Sequence, residues 1–301
     1  MTTKPSTILI TGAAGEIGSR LARRLHDRGH QVRALVLPGD SLVGRLAGTA
    51  TVHFGDVTKP ETLAEPLQGV DVVYHLAAVL LGENADSFRA VNVEGTRHVV
   101  DAAAAAQVGH LIHISSASVV YPRTTHYSRS KQQAEEIVRA CGSLNFTLVR
   151  PTLVYDREGG LEFKMYADFV KRYPILPLLA GGRARKRPVH VDDLLSGLVA
   201  MAANPVTYGK TYNFSGGEEI SIRDLAKLML KSRGLSKPFV CIPVPVCRLL
   251  AFVMEHTMKR PPLTNYAISR ILHDAALDCG EARADLGYDP AGVRSRLVPN
   301  C

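Results

Sequence analysis

The sequence predicts an α/β protein: a doubly wound parallel sheet with a smaller C-terminal region. Three observations predict it. Short apolar runs of strand length alternate with segments of helical period along most of the chain. A glycine-rich turn separates the first run from the first helix, and small or polar residues recur just beyond the later runs. Alternation of this kind builds βαβ units, whose crossovers place helices on both faces of a parallel sheet.

The first strand is read at residues 6–10, ending in Thr11. Gly12-Ala13-Ala14-Gly15-Glu16-Ile17-Gly18 follows, then a helix through Leu21 and Leu25 that stops at Gly29. Strand, glycine turn and helix in this order are the context of a dinucleotide fingerprint. The turn lets backbone N–H groups approach a pyrophosphate at the helix N-terminus, and Gly18 lets helix and strand pack closely. The second strand, 31–37, should end where a ribose is read. It ends in Val36 and Leu37, with neither an acidic residue for a 2′-hydroxyl nor an arginine placed for a 2′-phosphate, so NAD and NADP both stay open. A third strand at 51–54 runs into Gly55-Asp56-Val57, where Asp56 can accept from an adenine amino group, and a helical stretch follows at 60–67. The fourth strand, 70–75, gives way to Leu76-Ala77-Ala78, small enough for a cofactor to lie against the backbone. A helix through Asn92 to Thr96 and the alanines at 102–106 is closed by Gly109, and the fifth strand, 110–114, ends at Ser115-Ser116-Ala117-Ser118.

Tyr127-Ser128-Arg129-Ser130-Lys131 comes next, on a segment whose Gln132, Gln133, Ala134, Glu135 and Glu136 favour a helix. Positions i and i+4 then share a face, which sets an ammonium near a phenol. A nearby cation favours phenolate and moves a tyrosine from about 10 towards the pH at which a general acid/base works best. Ligands of such sheets bind outside the carboxyl ends of the strands, where the Gly12 turn, Asp56, Ala77, Ser116 and Tyr127 all fall. A serine near the tyrosine can donate to the same substrate oxygen.

A sixth strand at 145–149 leads to Arg150-Pro151-Thr152-Leu153, and from Asp156 the chain turns to glycines, aromatics and prolines. Strand and helix return at 188–193, with Asp192 and Asp193 suited to a helix N-cap and first turn and His190 read as a satisfied buried histidine. Tyr212-Asn213-Phe214 is a last strand, and Ser221 opens a helix whose Leu225, Leu228 and Met229 face a core. The domain reading is therefore 1–158, rejoined by 189–215, for the nucleotide-binding part, and 159–188 with 216–301 for a smaller substrate-binding region.

At 46% hydrophobic residues, the 301-residue chain can bury a large core. Lys+Arg 36 against Asp+Glu 28 leaves +8, which attracts anionic ligands but lacks the dense basic and aromatic patterning of a nucleic-acid binder. Five cysteines without a Cys-x-x-Cys pair point to reduced thiols and a cytoplasmic protein, and no metal site is expected. The N-terminus carries no signal-peptide pattern. The apolar stretch at 239–254 is broken by Pro243, Pro245 and Arg248 and is too short to cross a bilayer. It is read as buried packing or a substrate lid, while Lys259 and Arg260 beyond it leave interfacial membrane attachment open.

The ordered set Thr11-Gly12-x-x-Gly15-x-x-Gly18, Asp56-Val57, Leu76-Ala77-Ala78, Asn92-x-x-Gly95-Thr96, Ser115-Ser116, Tyr127-x-x-x-Lys131, Arg150-Pro151-Thr152 and His190-Val191-Asp192-Asp193 resembles the extended short-chain dehydrogenase/reductase family over nearly the whole chain. The family includes NAD-dependent epimerases and dehydratases and 3β-hydroxysteroid dehydrogenase-like enzymes. The resemblance implies a Rossmann-type fold, Tyr127 as general acid/base, Lys131 as ribose ligand and modulator of the phenol, and Ser116 as the hydroxyl that holds the substrate oxygen. Ser115 and Ser118 remain alternatives to Ser116. It also implies NAD or NADP held by Gly12, Ala14, Gly15, Glu16, Ile17, Gly18, Leu37, Asp56, Val57, Leu76, Ala77, Ala78, Asn92, Ile114, Tyr127, Lys131, Pro151 and Leu153. Ser118, Lys186 and Arg187 are implied on a small-molecule substrate, and a homodimer through helices flanking the sheet is implied as the assembly.

Three departures from the family pattern bear on function. Ser116 and Tyr127 are only eleven positions apart, a short spacer. Leu153 stands where nucleotide-sugar epimerases tend to carry an asparagine, and Asp156 replaces a common glycine. Leu153 and the apolar stretch at 239–254 favour a dehydrogenase or reductase of a ring ketone or alcohol. Arg183, Arg185, Lys186 and Arg187 favour the alternative, a nucleotide-sugar epimerase or dehydratase, since phosphate attracts such clusters. A non-catalytic nucleotide-binding scaffold is the third reading.

Overall fold

A computed structural model describes residues 5–80, 85–122, 124–156, 168, 172–258, 264–273 and 277–297. Seven parallel strands form the central sheet: β1 (Thr7–Thr11), β2 (Gln31–Val36), β3 (Thr51–Phe54), β4 (Val72–His75), β5 (His110–Ile114), β6 (Phe146–Pro151) and β7 (Thr211–Phe214), in the order β7-β6-β5-β4-β1-β2-β3. The order reverses between β1 and β4, which makes that edge the switch point of a Rossmann-type sheet.

Side chains alternate across each strand, so the apolar runs feed two separate cores. Ile8 and Ile10 of β1 enter a core with Leu21 and Leu25 of α1 (Glu16–Asp27) and Leu194 and Leu198 of α4 (Val191–Ala200). Leu9 points the other way, joining Val73, Leu111 and Leu148 beneath Val99, Val100 and Ala103 of α2 (Gly95–Ala105) and Val138 of α3 (His126–Ala140). A continuous apolar strand is what burial on both faces requires.

Several elements differ from the sequence reading. The helix expected across Asn92 is three pieces: a turn of helix at Ala85–Phe88, a wide i→i+5 turn at Arg89–Glu94, and α2. The end falls near Gln107, which takes φ +56, rather than at Gly109. The stretch at 60–67 is a tight turn, Pro60–Thr62, followed by one helical turn at Ala64–Leu67. His190, not an aspartate, caps α4, its ring accepting the Asp192 N–H, while Asp192 and Asp193 occupy the first turn.

Beyond the sheet, Ser221 caps α5 (Ile222–Lys231) as expected, with Leu225 and Met229 buried. The strand Phe239–Ile242 pairs in parallel with Leu176–Leu179 and leads into α6 (Val244–Thr257), which packs on α7 (Asn265–Leu272); α8 (Gly280–Leu286) lies near β7. The reading of 239–254 as buried packing is corrected here: Pro243 and Pro245 sit at the start of α6, and only Cys247 and Ala251 of that helix are buried. Hydropathy registers apolar content, not which way a helix faces. The domain boundary expected at 158 and 159, and Lys259 and Arg260, lie outside the described residues.

Candidate active site

Thr11 leaves β1 into Gly12, whose φ of +67 is accessible chiefly to glycine. A Cβ at Gly12 would lie 2.8 Å from the Ala77 nitrogen, and one at Gly18 only 2.4 Å from the Gly12 carbonyl oxygen. The turn therefore rests directly on the backbone at the end of β4, and α1 rests on the turn. Gly15 caps α1 without a side-chain partner, which leaves first-turn N–H groups and the positive end of the helix dipole turned to the strand ends. This cradle fits a dinucleotide pyrophosphate.

A buried strut behind the turn was not anticipated from sequence. Ala77 N–H donates to Thr11 Oγ1 (3.2 Å), Thr11 Oγ1 lies 2.7 Å from His75 Nδ1, His75 Nε2 lies 2.9 Å from Thr96 Oγ1, and Thr96 donates to the Asn92 carbonyl (2.7 Å). Each group is satisfied when Thr11 donates to Nδ1 and Nε2–H donates to Thr96, so His75 is neutral. Burial, reinforced by the Lys131 charge, pulls it down to about 3. The motif signal was His75 preceding Leu76-Ala77-Ala78 between two threonines far apart in sequence.

Asn92 is fully buried and works as a clamp. Its Oδ1 accepts the Val79 N–H (2.8 Å), and its Nδ2 donates to the Val79 carbonyl and to Ser130 Oγ, both 3.0 Å. Ser130 in turn donates to the Tyr127 carbonyl (2.8 Å). The loop after β4 is thus tied to the first turn of α3. A reciprocal capping box, Thr125 with Ser128, starts that helix just before Tyr127. The Tyr127 ring meets Phe88 edge-on at 6.2 Å.

Tyr127, Lys131 and Glu135 follow one another at i, i+4 and i+8 along α3. Lys131 is 2% exposed. Among the described residues no hydrogen bond or ion pair holds its ammonium. Burial lowers it to about 8, with the Glu135 charge acting in the opposite direction. Glu135 is itself buried and fully engaged: Arg150 grips both its oxygens (2.8 and 2.5 Å), and Ser115 donates to it (2.5 Å). Glu135→Gln should therefore lower stability by about 3 kcal/mol or more, because the guanidinium is left with no carboxylate. It should also carry Lys131 further below its present value. Urea unfolding at pH 7 checks the first; a loss under about 1 kcal/mol would mean that solvent reaches the pair as it does on a surface.

The same bonds sort the three serines. Ser115 is buried and spent on Glu135, whereas Ser116 and Ser118 are partly exposed with their hydroxyl oxygens 3.0 Å apart. The short spacer is stabilised by Gln132, whose amide donates to the Val119 carbonyl (2.5 Å) and pins the serine loop to α3. Arg123, within the spacer, lies outside the described residues.

The basic cluster does not converge. Arg185–Lys186 is a short strand, so neighbours point oppositely. Lys186 donates to the His273 carbonyl, and the His273 ring packs at 4.5 Å on Tyr121 beside the serine loop. Arg185 and Arg187 instead face Glu219. Leu37 lies exposed past β2, and Arg33 is committed to the Pro66 and Gln68 carbonyls (3.0 and 2.7 Å). Asp56 accepts the Thr58 N–H (2.9 Å), and Val57 packs on Gly95. Ile114, Pro151 and Leu153 line the ends of β5 and β6.

The model of the NAD dependent epimerase/dehydratase family matches residues 8–215, which include the glycine turn, the Tyr127–Lys131 turn and all seven sheet strands except the start of β1. The chain belongs to this family. Its relatives include the 3β-hydroxysteroid dehydrogenase/Δ5→4-isomerase of Mycobacterium tuberculosis (strain ATCC 25618 / H37Rv), 27% identical over 342 aligned positions that cover 100% of this chain and 90% of the relative. A 4-hydroxy-2-methyl-3-oxo-4-farnesyl-3,4-dihydroquinoline-1-oxide ketoreductase of Stigmatella aurantiaca is 27% identical over 304 positions, covering 93% of this chain and 90% of that protein. Among solved structures, the crystal structure of gox2253 superposes with a TM-score of 0.81 at 27% identity, over 97% of this chain and 96% of that one. A dTDP-glucose 4,6-dehydratase of Streptomyces venezuelae, solved with NAD bound, shares the fold at a TM-score of 0.76 and 23% identity, over 97% and 95%. The NAD-dependent oxidoreductases, epimerases and dehydratases of this family are enzymes, and the Rossmann-type sheet is their architecture. Among the described residues no helix is long and apolar enough to cross a membrane, and Cys141, Cys241, Cys247 and Cys279 are free thiols.

Proposed function

We propose that this family member is an NAD(P)-dependent dehydrogenase or reductase acting on a ring ketone or secondary alcohol. The observation that carries it is Lys131: a buried cation with no hydrogen-bond or ion-pair partner among the described residues, one helical turn from Tyr127, at the strand ends where the glycine turn lies. An ammonium left without a protein acceptor at such a place is suited to ribose hydroxyls and to a developing phenolate. Tyr127 passes a proton to the substrate oxygen or takes one from it. Ser116 holds that oxygen, with Ser118 orienting Ser116. Gly12, Gly15 and Gly18 with the α1 N-terminus hold the pyrophosphate. When bound, the nicotinamide accepts or supplies the hydride.

The full-length likeness to a hydroxysteroid dehydrogenase and a quinoline-oxide ketoreductase supports the substrate class. The division of the basic cluster counts against a diphosphate site, since Lys186 is held by His273 and Arg185 by Glu219, which leaves Arg187, 3.9 Å from the same carboxylate, apart from Lys186. Four free thiols accord with a reducing cytoplasm, and a homodimer through the sheet-flanking helices belongs to the same reading. The test is to supply NADH or NADPH with parallel panels of ring ketones and UDP- or dTDP-sugars. Net oxidation of the nicotinamide with a ring ketone is expected. Sugar conversion without net absorbance change would replace this reading by the epimerase one, and cofactor binding without any turnover would leave a scaffold.

A further inference from the structure

The carboxylate of Glu135 sits where packing alone would favour an apolar side chain, buried between α3 and the sheet. Three donated bonds reach it there, from Arg150 Nε (2.8 Å), Arg150 Nη2 (2.5 Å) and Ser115 Oγ (2.5 Å). A guanidinium can only donate, so both oxygens serve as acceptors. Arg139, one turn further along α3, comes within 3.9 Å of the same group. A buried charge so fully held is fixed in place, and what it acts on is decided by its neighbours.

The neighbour that feels it is Lys131. Helix α3 sets the Tyr127 phenol, the Lys131 ammonium and the Glu135 carboxylate one turn apart in that order along one face. Across the interface, His75 of β4 and His113 of β5 lie within the field of Lys131, and burial holds both neutral. On the loop side Asn92 and Ser130 bring a hydrogen bond and no charge. Arg150 of β6 and Arg139 of α3 are turned to Glu135. Among the described residues Glu135 is therefore the charge that supports the ammonium against its own burial. Without that charge Lys131 would lose its proton nearer neutral pH, and a neutral amine no longer favours phenolate.

We propose that Glu135, held by Arg150 and Ser115, is a positioning residue that keeps Lys131 charged through neutral pH and so sets the alkaline limit of turnover. This rests on the reading of Tyr127 and Lys131 as the acid/base pair. The first test needs no substrate: the full chain is labelled with carbon-13 at the lysine Cε and titrated by NMR, the Lys131 signal being the one missing from Lys131→Met. Its midpoint is expected at about 8 in the parent. Glu135→Gln alone leaves Arg150 unpaired, so the variant to compare is Glu135→Gln with Arg150→Met, which removes both charges together. There the midpoint should fall by about one pH unit, whereas Glu135→Asp, which keeps the carboxylate, should retain most of the parental value. The alkaline limb of kcat/KM for ketone reduction should move down with it. A midpoint that stays in place or rises in the double variant would overturn the proposal, as would an Asp variant that shifts just as far, since packing and not charge would then be the cause. A midpoint that falls while the limb stays would show that the charge of Lys131 does not limit turnover. The absence of any ketone turnover would instead remove the acid/base reading, and the NMR midpoints would still decide whether Glu135 holds the charge.

Discussion

Tyr127→Phe is expected to lower kcat by roughly two to four orders of magnitude on whatever carbonyl or alcohol the protein turns over, with dinucleotide affinity and thermal midpoint little changed. The phenol oxygen is a group that can both give and take a proton, and its removal leaves the ring in place against Phe88. What positions the tyrosine survives the substitution: the Thr125–Ser128 capping box and the bond from Ser130 to the Tyr127 carbonyl involve backbone and neighbours, not the hydroxyl. A structural role would therefore show as a lowered midpoint, whereas a chemical role shows as lost turnover with binding intact. Steady-state kinetics with a parallel titration of NADH fluorescence separates the two, and unchanged kcat would remove Tyr127 from the mechanism.

How much of this could be read beforehand follows from what a linear sequence encodes. Strands β1, β4 and β5 and the first turn were legible because burial on both faces makes their apolar runs continuous and because a backbone with φ of +67 calls for glycine. That Tyr127 and Lys131 share one helix follows from their spacing, but reading them as a pair with a task drew on the glycine turn, Asp56 and Ser116 falling at the same strand ends. The serine was not, since three of four consecutive residues are serines and only their partners distinguish them: Ser115 is tied to Glu135 through a contact spanning twenty positions. Asn92 and His75 stood within recognisable motifs, but the clamp on Val79 and the strut between Thr11 and Thr96 are long-range hydrogen bonds. The basic cluster reads as one site in sequence and divides in space because a two-residue strand sends neighbours to opposite sides. In α6 the hydropathy was legible and its direction was not.

Acid should unfold this protein unusually early, and His113→Leu should delay it. Three histidines on the sheet are held neutral by burial: His75 at about 3, His110 at about 4, and His113 well below the ordinary value, the rings of His75 and His113 lying 5.2 Å apart at their centres. In the unfolded chain each takes a proton near pH 6.5. Between that point and about pH 4 the unfolded state therefore binds up to three protons that the native state refuses, and stability falls as the pH falls. Each such group contributes a slope of about 1.4 kcal/mol per pH unit, so together they approach about 4 kcal/mol per unit, a large share of a typical domain's stability. The three are not equivalent. His75 bonds Thr11 and Thr96, and His110 bonds Thr147 at 2.8 Å, so replacing either opens a buried polar gap at neutral pH. Neither ring nitrogen of His113 has a hydrogen-bond partner among the described residues. An apolar side chain of similar size there sacrifices no bond and removes one proton from the unfolded-state uptake. Urea unfolding at pH 7, 6 and 5 should give His113→Leu a pH slope shallower by up to about 1.4 kcal/mol per unit, with near-parental stability at pH 7. Coincident slopes for parent and variant would mean that His113 binds its proton in the native state, and the burial account of its depressed basicity would fail.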